Sequence, residues 1–522
     1  MTQQKKITYV SLLSDESIHG EYETALDRIG REFGRSHPMI IDGEEISGNR
    51  EFDVFSPVDR SILIGRFQQG TEQEAEMAVA AARSGFPSWS ATDWKERADI
   101  IDRVAKAFEK EMFLLAALIT FESGKNRYEA LAEVGEAVDM LRYYTGTYRS
   151  HQGYRTPMVP EQPGAVCTSV MRPYGVWAVI SPFNFPLALA AGMAGAALLT
   201  GNTVILKPTS EAPLSGLKLY QACISAGVPA GSLQFFTGPG KVFGSVIAGN
   251  RDVDGIAFTG SRDAGMWLQR NFIASQPWPK PIVSEMGSKN PAIVTETADI
   301  SKAVEGIVKG AFGYSGQKCS ATSRVYLHQR IAGEFQAALV SAAEKLVIGD
   351  PRQRETFIGP IITEKARNTF KGAVEQCRKD GGTILTGGSV VGGGIFSRGS
   401  YVTPTIVTGL PHDHPLVTAE LFVPVLILDT FTTLDEALDK ANATDYGLTA
   451  GIFSEDPEEI EEFFRKIRFG VCYANRQGGA TTGAWPGSQS FGGWKASGST
   501  GRGVGGPYYL LSFVHEQAQT RL

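Results

Sequence analysis

The sequence predicts an α/β protein built on a parallel sheet, a second α/β unit and a small β element outside both. Three observations carry this. From Gly175 onward, short apolar, β-prone runs alternate with helix-patterned stretches at the spacing of strand–helix–strand units. The alternation pauses near Asn290 and then resumes. Ahead of it lie a helical region and a proline-bearing segment of different character.

Taken in order, the pattern from about 71 to 148 is helical: 75–82 is Ala-rich, and 94–108 puts Ala98, Ile101, Val104, Ala105 and Phe108 on one face, with 112–121 and 130–144 continuing the theme. The segment 150–172 carries prolines and β-prone pieces such as 165–171, compatible with an arm or flap outside the core. Strands follow at 176–180, 203–206, 233–236, 255–258 and 281–283, with helices at 186–200, 213–226, 241–248 and 263–273 between them. Such crossovers are right-handed, and ligands of such sheets bind beyond the carboxyl ends of the strands. The second unit has a helix at 300–312, a strand at 324–327, helices at 331–346 and 363–379, and strands at 405–407, 425–429 and 451–453. The glycines of 387–394 could form a phosphate loop, but no helix clearly follows, so a surface turn is the better reading.

Composition narrows the function classes. The chain has 522 residues, enough for about three domains. It is 42% hydrophobic and 20% charged, an ordinary globular balance, with a formal net charge of −6. That charge gives no basic footprint for nucleic acid. Five widely spaced cysteines (167, 223, 319, 377, 472) form no CxxC, so neither a disulfide framework nor a zinc site is indicated. His412 and His414 fall in a Pro-bounded stretch that reads as a solvated loop rather than a metal site. The apolar run 187–199 is shorter than the ~20 residues of a membrane span. It is Ala/Gly-rich, as a tightly packed buried helix would be. No signal-type run opens the sequence, so a cytoplasmic location with reduced thiols is expected.

Three residues stand out as carriers of chemistry. Cys319 lies in Gly316-Gln317-Lys318-Cys319-Ser320-Ala321. An inert buried thiol is the ordinary reading, but small neighbours permit close approach of a substrate, and Lys318 could favour a thiolate. Glu285 ends an apolar strand before a glycine. It is either a solvated loop carboxylate or, partly buried with a raised pKa, a general base for water. Asn184, in Ser181-Pro182-Phe183-Asn184-Phe185-Pro186, reads as a helix N-cap or as an amide aimed at a developing oxyanion. Gly238-Pro239-Gly240 with Gly244 imitates a dinucleotide fingerprint but has one residue too many. Gly260-Ser261, before a helix, is a better place for a pyrophosphate. Lys207 ends a strand and could reach a ribose or simply snorkel to solvent.

Together these segments resemble the aldehyde dehydrogenase superfamily from about 37 to 514, in the pieces 181–186, 201–208, 258–260, 285–287, 316–321, 420–422 and 491–498. Their joint order carries the resemblance, as does the separation of Glu285 from Cys319 (319 − 285 = 34 residues). It implies that Cys319 attacks an aldehyde, that Asn184 and the Cys319 N–H hold the oxyanion, and that Glu285 activates water to hydrolyse the thioester. Because Glu285 is present, a free carboxylic acid is the implied product. The cofactor is NAD or NADP, with Lys207 and Glu420 at ribose hydroxyls, Gly260 and Ser261 at the pyrophosphate, and Pro182, Phe183 and Phe422 lining its site. Two departures matter. Ser210 stands where many NAD-preferring members carry Glu, which removes repulsion of a 2′-phosphate, and Val423 replaces a usual Gly.

Within the superfamily the likeness is to the 1-pyrroline-5-carboxylate (glutamate semialdehyde) dehydrogenases, through 31–43, 121–125, 316–323 and the loop Thr482-Gly483-Ala484 before Gln489-Ser490-Phe491. It implies that Ser320 and the N–H groups of Gly483 and Ala484 grip the substrate α-carboxylate, with Phe185 and Phe491 flanking the aliphatic chain. Ser490 stands where Pro is common, and 477–486 is longer than the pattern. The alternatives are a dehydrogenase of another acidic semialdehyde (succinic or 2-oxoglutaric) and a non-catalytic cofactor-binding protein. The resemblance further implies a Rossmann-like dinucleotide-binding domain (1–149 and 173–287), a catalytic domain (288–490) and an oligomerisation flap (150–172 and 491–522, pairing through 507–514). A homo-oligomer built from dimers is expected, with no metal, membrane or nucleic-acid partner.

Overall fold

The structure is a computed structural model that describes residues 16–48, 50–478 and 485–522. Two seven-stranded sheets form its frame. In the first, the strands run in the order Ile282–Glu285, Gly255–Thr259, Val176–Ile180, Thr203–Lys207, Leu233–Phe235, Met39–Ile41, Glu44–Ile46. The first five are parallel, and the hairpin 39–46 adds antiparallel to the strand Leu233–Phe235. These central strands are covered on both faces, which is why they read as unbroken apolar runs.

Most of the covering comes from helices. We name α1 (Met112–Ser123), α2 (Arg127–Ser150), α3 (Ala188–Leu199) and α4 (Ile300–Phe312). Every residue of α3 is buried. Its Gly192 and Gly195 let α2 approach: a Cβ there would lie 2.6 Å from Met140 Sδ and 2.3 Å from Leu141 Cδ2. Helix α1 ends on Gly124 at φ +79°, a left-handed cap that glycine adopts without steric cost.

The second sheet has the order Thr383–Thr386, Thr405–Thr408, Val425–Phe431, Thr322–His328, Asn290–Val294, Thr449–Phe453, Val471–Ala474. Only the edge strand Thr383–Thr386 is antiparallel. The strands Asn290–Val294 and Val471–Ala474 were not expected. The first opens with Asn-Pro, a turn signal in sequence, yet it lies inside the sheet, where the Asn290 side chain bonds across to neighbouring segments: it donates to the Cys319 and Ala321 carbonyls and accepts the Thr449 N–H.

A third, three-stranded antiparallel sheet joins Arg155–Met158, Val166–Pro173 and Val514–Arg521. The segment 150–172 thus meets the C-terminal part of the chain, but through 514–521. The expected pairing segment 507–514 is largely a 3₁₀ turn, Tyr509–Phe513, whose aromatic side chains are buried against Tyr144 and Trp177. Burial of that turn fixes it, and the free strand begins only where it ends. The glycines near 387–394 lie around a small surface hairpin, Val390–Val391 with Tyr401–Val402. No helix among the described residues is long and apolar enough to cross a membrane, and none of their His, Cys, Asp and Glu side chains cluster as a metal site would.

Candidate active site

A cavity of about 490 Å³ opens between the carboxyl ends of the first sheet's parallel strands and the amino ends of two strands of the second. The first sheet contributes Ser181 to Asn184, Lys207, Gly260, Ser261 and Glu285. Each follows or ends a parallel strand, and the strand order places the chain's reversal beside Val176–Ile180, where diverging crossovers leave a crevice at the carboxyl ends. The second contributes Cys319, just before Thr322–His328, and Glu420 to Phe422, just before Val425–Phe431.

Cys319 is reached through a left-handed turn. Tyr314, Ser315 and Gly316 have φ of +50°, +55° and +69°, two of them non-glycine residues in a conformation that costs about 1–2 kcal/mol each. The turn is held from outside: Tyr314 Oη donates to the Ser123 carbonyl at 2.7 Å, and Ser315 Oγ to that of Gly359 at 2.8 Å. Gly316 packs so closely that a Cβ would lie 2.9 Å from the Val423 carbonyl oxygen. Asn290 fixes the far side, its Nδ2 donating to the carbonyls of Cys319 (2.7 Å) and Ala321 (2.9 Å). Asn290 was missed at the sequence level, although it stands in the same short motif as Glu285.

Burial pushes the Cys319 thiol up to about 12, with Glu285, Glu420 and Glu136 adding negative field, and its own backbone N–H pulling the other way. The resting sulfur is therefore protonated. Lys318 does not supply the expected help: its ammonium forms an ion pair with Glu129 at 2.6 Å.

Glu285 lines the same cavity. Its Oε2 accepts the Gly493 N–H at 2.9 Å, and burial raises its pKa to about 8. The solvated-loop reading of this residue fails. The motif 491–498 braces it through hydrogen bonds from Met286 N to Ser497 O (2.8 Å) and from Ser497 Oγ to Gly287 O (2.7 Å). Asn184 is not a helix cap: α3 begins at Ala188, and Asn184 instead lines the cavity.

The remaining residues divide. Lys207 is buried, donates to the Pro208 carbonyl at 2.9 Å and is pulled down to about 8 by burial. Glu420 accepts the Ser288 N–H at 2.8 Å and sits near 7, raised by burial and opposed by Lys289. Phe422, at φ +57°, meets Phe183 edge-on with ring centroids 5.9 Å apart. Pro182, Gly260 and Ser261 line the cavity, and Ser261 caps the helix Arg262–Ser275. Ser210 does not line it, its Oγ donating to the Gly238 carbonyl at 3.4 Å. Gly238 is packed on Gly70 and is no phosphate loop here. Phe491 lines the cavity, whereas Phe185 and Ser320 are buried behind it. Gly483 and Ala484 lie outside the described residues.

A half-buried thiol and a buried carboxylate on one cavity can form and then hydrolyse an acyl thioester. The family model of the aldehyde dehydrogenases, "Aldehyde dehydrogenase family", matches residues 44–518. The chain belongs to this family. A 1-pyrroline-5-carboxylate dehydrogenase of Geobacillus sp. (strain WCH70) is 35% identical over 508 residues, 97% of this chain and 96% of the relative. Among solved structures, a Thermus 1-pyrroline-5-carboxylate dehydrogenase with bound NAD superposes with a TM-score of 0.92 at 32% identity, covering 97% of both chains. Proline utilization A from Bdellovibrio bacteriovorus superposes with a TM-score of 0.91 at 34% identity over 96% of this aldehyde dehydrogenase. The present chain spans about half (51%) of that longer protein.

Proposed function

We propose that this aldehyde dehydrogenase oxidises glutamate 5-semialdehyde, the open form of 1-pyrroline-5-carboxylate, to glutamate, with NAD or NADP as cofactor, as in proline catabolism. The observation that carries the reading is the opening of Cys319 and Glu285 onto one cavity, in a chain about one-third identical to named 1-pyrroline-5-carboxylate dehydrogenases.

The donor set suits a nicotinamide dinucleotide. Lys207 spends one N–H on a backbone carbonyl and keeps others for a ribose, and Glu420 holds a carboxylate oxygen beside Gly287, where a Cβ would come within 2.3 Å of it. Gly260 and Ser261 present a helix N-terminus, suited to a pyrophosphate. When bound, the nicotinamide supplies the acceptor for the aldehyde hydride. The Cys319 thiol gives its proton to water in the cavity as the sulfur adds to the aldehyde carbon, and the oxygen that becomes negative is held by the Asn184 amide and the Cys319 N–H. Loss of hydride leaves an acyl thioester on Cys319. Glu285, in its ionised form, takes a proton from water, the hydroxide adds to the acyl carbon, and the C–S bond breaks to return the thiol and release the acid.

The first sheet with its helices is read as the cofactor domain, the second as the catalytic domain and the third as a dimer-forming flap of a cytoplasmic homo-oligomer. Gly483 and Ala484 are read as donors to the substrate carboxylate and Phe491, which lines the cavity, as flanking its chain; Phe185 and Ser320, buried outside that lining, are not carried into this reading. The test is initial rates on 1-pyrroline-5-carboxylate, succinic semialdehyde and propanal with both cofactors. The expected result is the highest kcat/KM for the first; a preference for succinic semialdehyde would transfer the assignment to another acidic substrate.

A further inference from the structure

Lys125, Glu129, Glu133 and Lys318 form a buried cluster of four charges that the reaction itself does not use. Glu129 and Glu133 stand four residues apart on α2, hence on one face and about 6 Å apart along its axis. Lys125 occupies the turn before α2, whose N-cap Asn126 accepts the Glu129 N–H at 3.0 Å. Glu133 Oε2 receives Lys125 Nζ at 2.7 Å, with both side chains fully buried. Glu133 Oε1 receives the backbone N–H groups of Leu187 (2.9 Å) and Ala188 (3.2 Å), so a carboxylate from α2 caps α3. Lys125 Nζ also stands 3.4 Å from the centroid of the Phe185 ring. One turn away, Glu129 pairs with Lys318 at 2.6 Å.

Buried ion pairs are a poor source of stability, because desolvation offsets their attraction and apolar replacements often do as well. What distinguishes this cluster is where its other ends attach. Phe185 and Leu187 follow Asn184 within three residues, and Lys318 is the residue before Cys319. The two carboxylates thus tie down the two chain segments that line the cavity with Asn184 and Cys319. Charge-assisted hydrogen bonds are directional, so they fix positions as well as proximity.

We propose that Glu129 and Glu133 are positioning residues, and that one face of α2 sets the spacing between the Asn184 amide and the Cys319 backbone N–H. Glu133 acts through the Asn184–Ala188 turn and Glu129 through Lys318. This rests on the reading of Asn184 and the Cys319 N–H as oxyanion donors.

The experiment measures the pre-steady-state rate of NADH formation, cofactor affinity by fluorescence titration and thermal midpoint for Glu133→Gln, Glu129→Gln, Asn184→Ala and the double variant Glu133→Gln/Asn184→Ala. Glu133→Gln keeps an acceptor for the α3 N–H groups but loses the charge. Should it fail to fold, Lys125→Met/Glu133→Gln, which leaves no charge unpaired, takes its place. Each Glu→Gln change is expected to slow hydride release by roughly 10- to 100-fold, as sub-ångström to 1 Å misplacement does, with cofactor affinity unchanged. In the Asn184→Ala background the Glu133 change is expected to cost less than about threefold more, because its target is already gone. Full additivity, or wild-type rates in both Glu→Gln variants, would overturn the positioning role. A wild-type rate for Asn184→Ala alone would instead overturn the oxyanion assignment, and that failure reads separately from the first.

Discussion

The Glu285 carboxylate accepts the Gly493 backbone N–H at 2.9 Å, yet this one bond does not offset its burial, and its pKa stands near 8. At neutral pH most of this carboxyl is therefore protonated, and the fraction able to deprotonate water rises with pH. Acyl release, measured in single-turnover experiments, is expected to increase about tenfold per pH unit below 8 and to level off above it. In Glu285→Gln the same step should be slow and flat across the range, and a retained pH-dependent limb would remove Glu285 as the base.

The same shift bears on stability. The folded pKa lies above the ordinary glutamate value, so the folded state binds the proton more tightly. Its stabilising contribution is full below about 4.5 and is lost as pH rises through 8. Glu285→Gln is thus expected to melt a few degrees higher relative to wild type at pH 9 than at pH 6, by calorimetry.

Cys319→Ala is expected to bind cofactor with unchanged affinity and to lower NADH production at least about 10³-fold. Trapping of a radiolabelled acyl group on wild type in acid-quenched samples, and its absence in the variant, checks the covalent step.

Gly287→Ala tests the approach of Glu420. The added methyl would lie 2.3 Å from Glu420 Oε2 and must displace it. Cofactor dissociation constants are expected to rise roughly tenfold, with a thermal midpoint close to wild type.

Ser210→Glu places a carboxylate two residues past Pro208, whose carbonyl the Lys207 ammonium holds. The NADP/NAD ratio of kcat/KM is expected to fall at least about tenfold through repulsion of the 2′-phosphate. An unchanged ratio would take Ser210 out of cofactor choice.

Much of the frame is legible in sequence for a physical reason. Strands such as Val176–Ile180 and helices such as Pro213–Ala226 and α4 are found at their expected residues, because parallel strands buried on both faces leave short apolar runs between clear helical periods. Asn290–Val294 was hidden because its Asn-Pro start imitates a turn, and Val514–Arg521 because a solvent-facing edge strand of alternating polar residues carries little apolar signal. At the site, Cys319, Glu285 and Asn184 stood out by motif. Glu129 and Glu133 did not: charged residues on a helix read as solvated, and only the packing of α2 on α3 buries them; Lys125 fell within the matched piece 121–125, but nothing in the sequence gave it a partner.

The left-handed run Tyr314–Gly316 has one local backbone bond, Gln317 N–H to the Tyr314 carbonyl at 3.1 Å, and its side-chain restraints come from Ser123 at the end of α1 and from Gly359, distant in the chain. Its cost is met only once those partners are assembled. The presentation of the sulfur is therefore delegated to distant parts of the chain: loosening the end of α1 or the Gly359 segment would release the turn that aims Cys319 into the cavity, without touching the cavity wall itself.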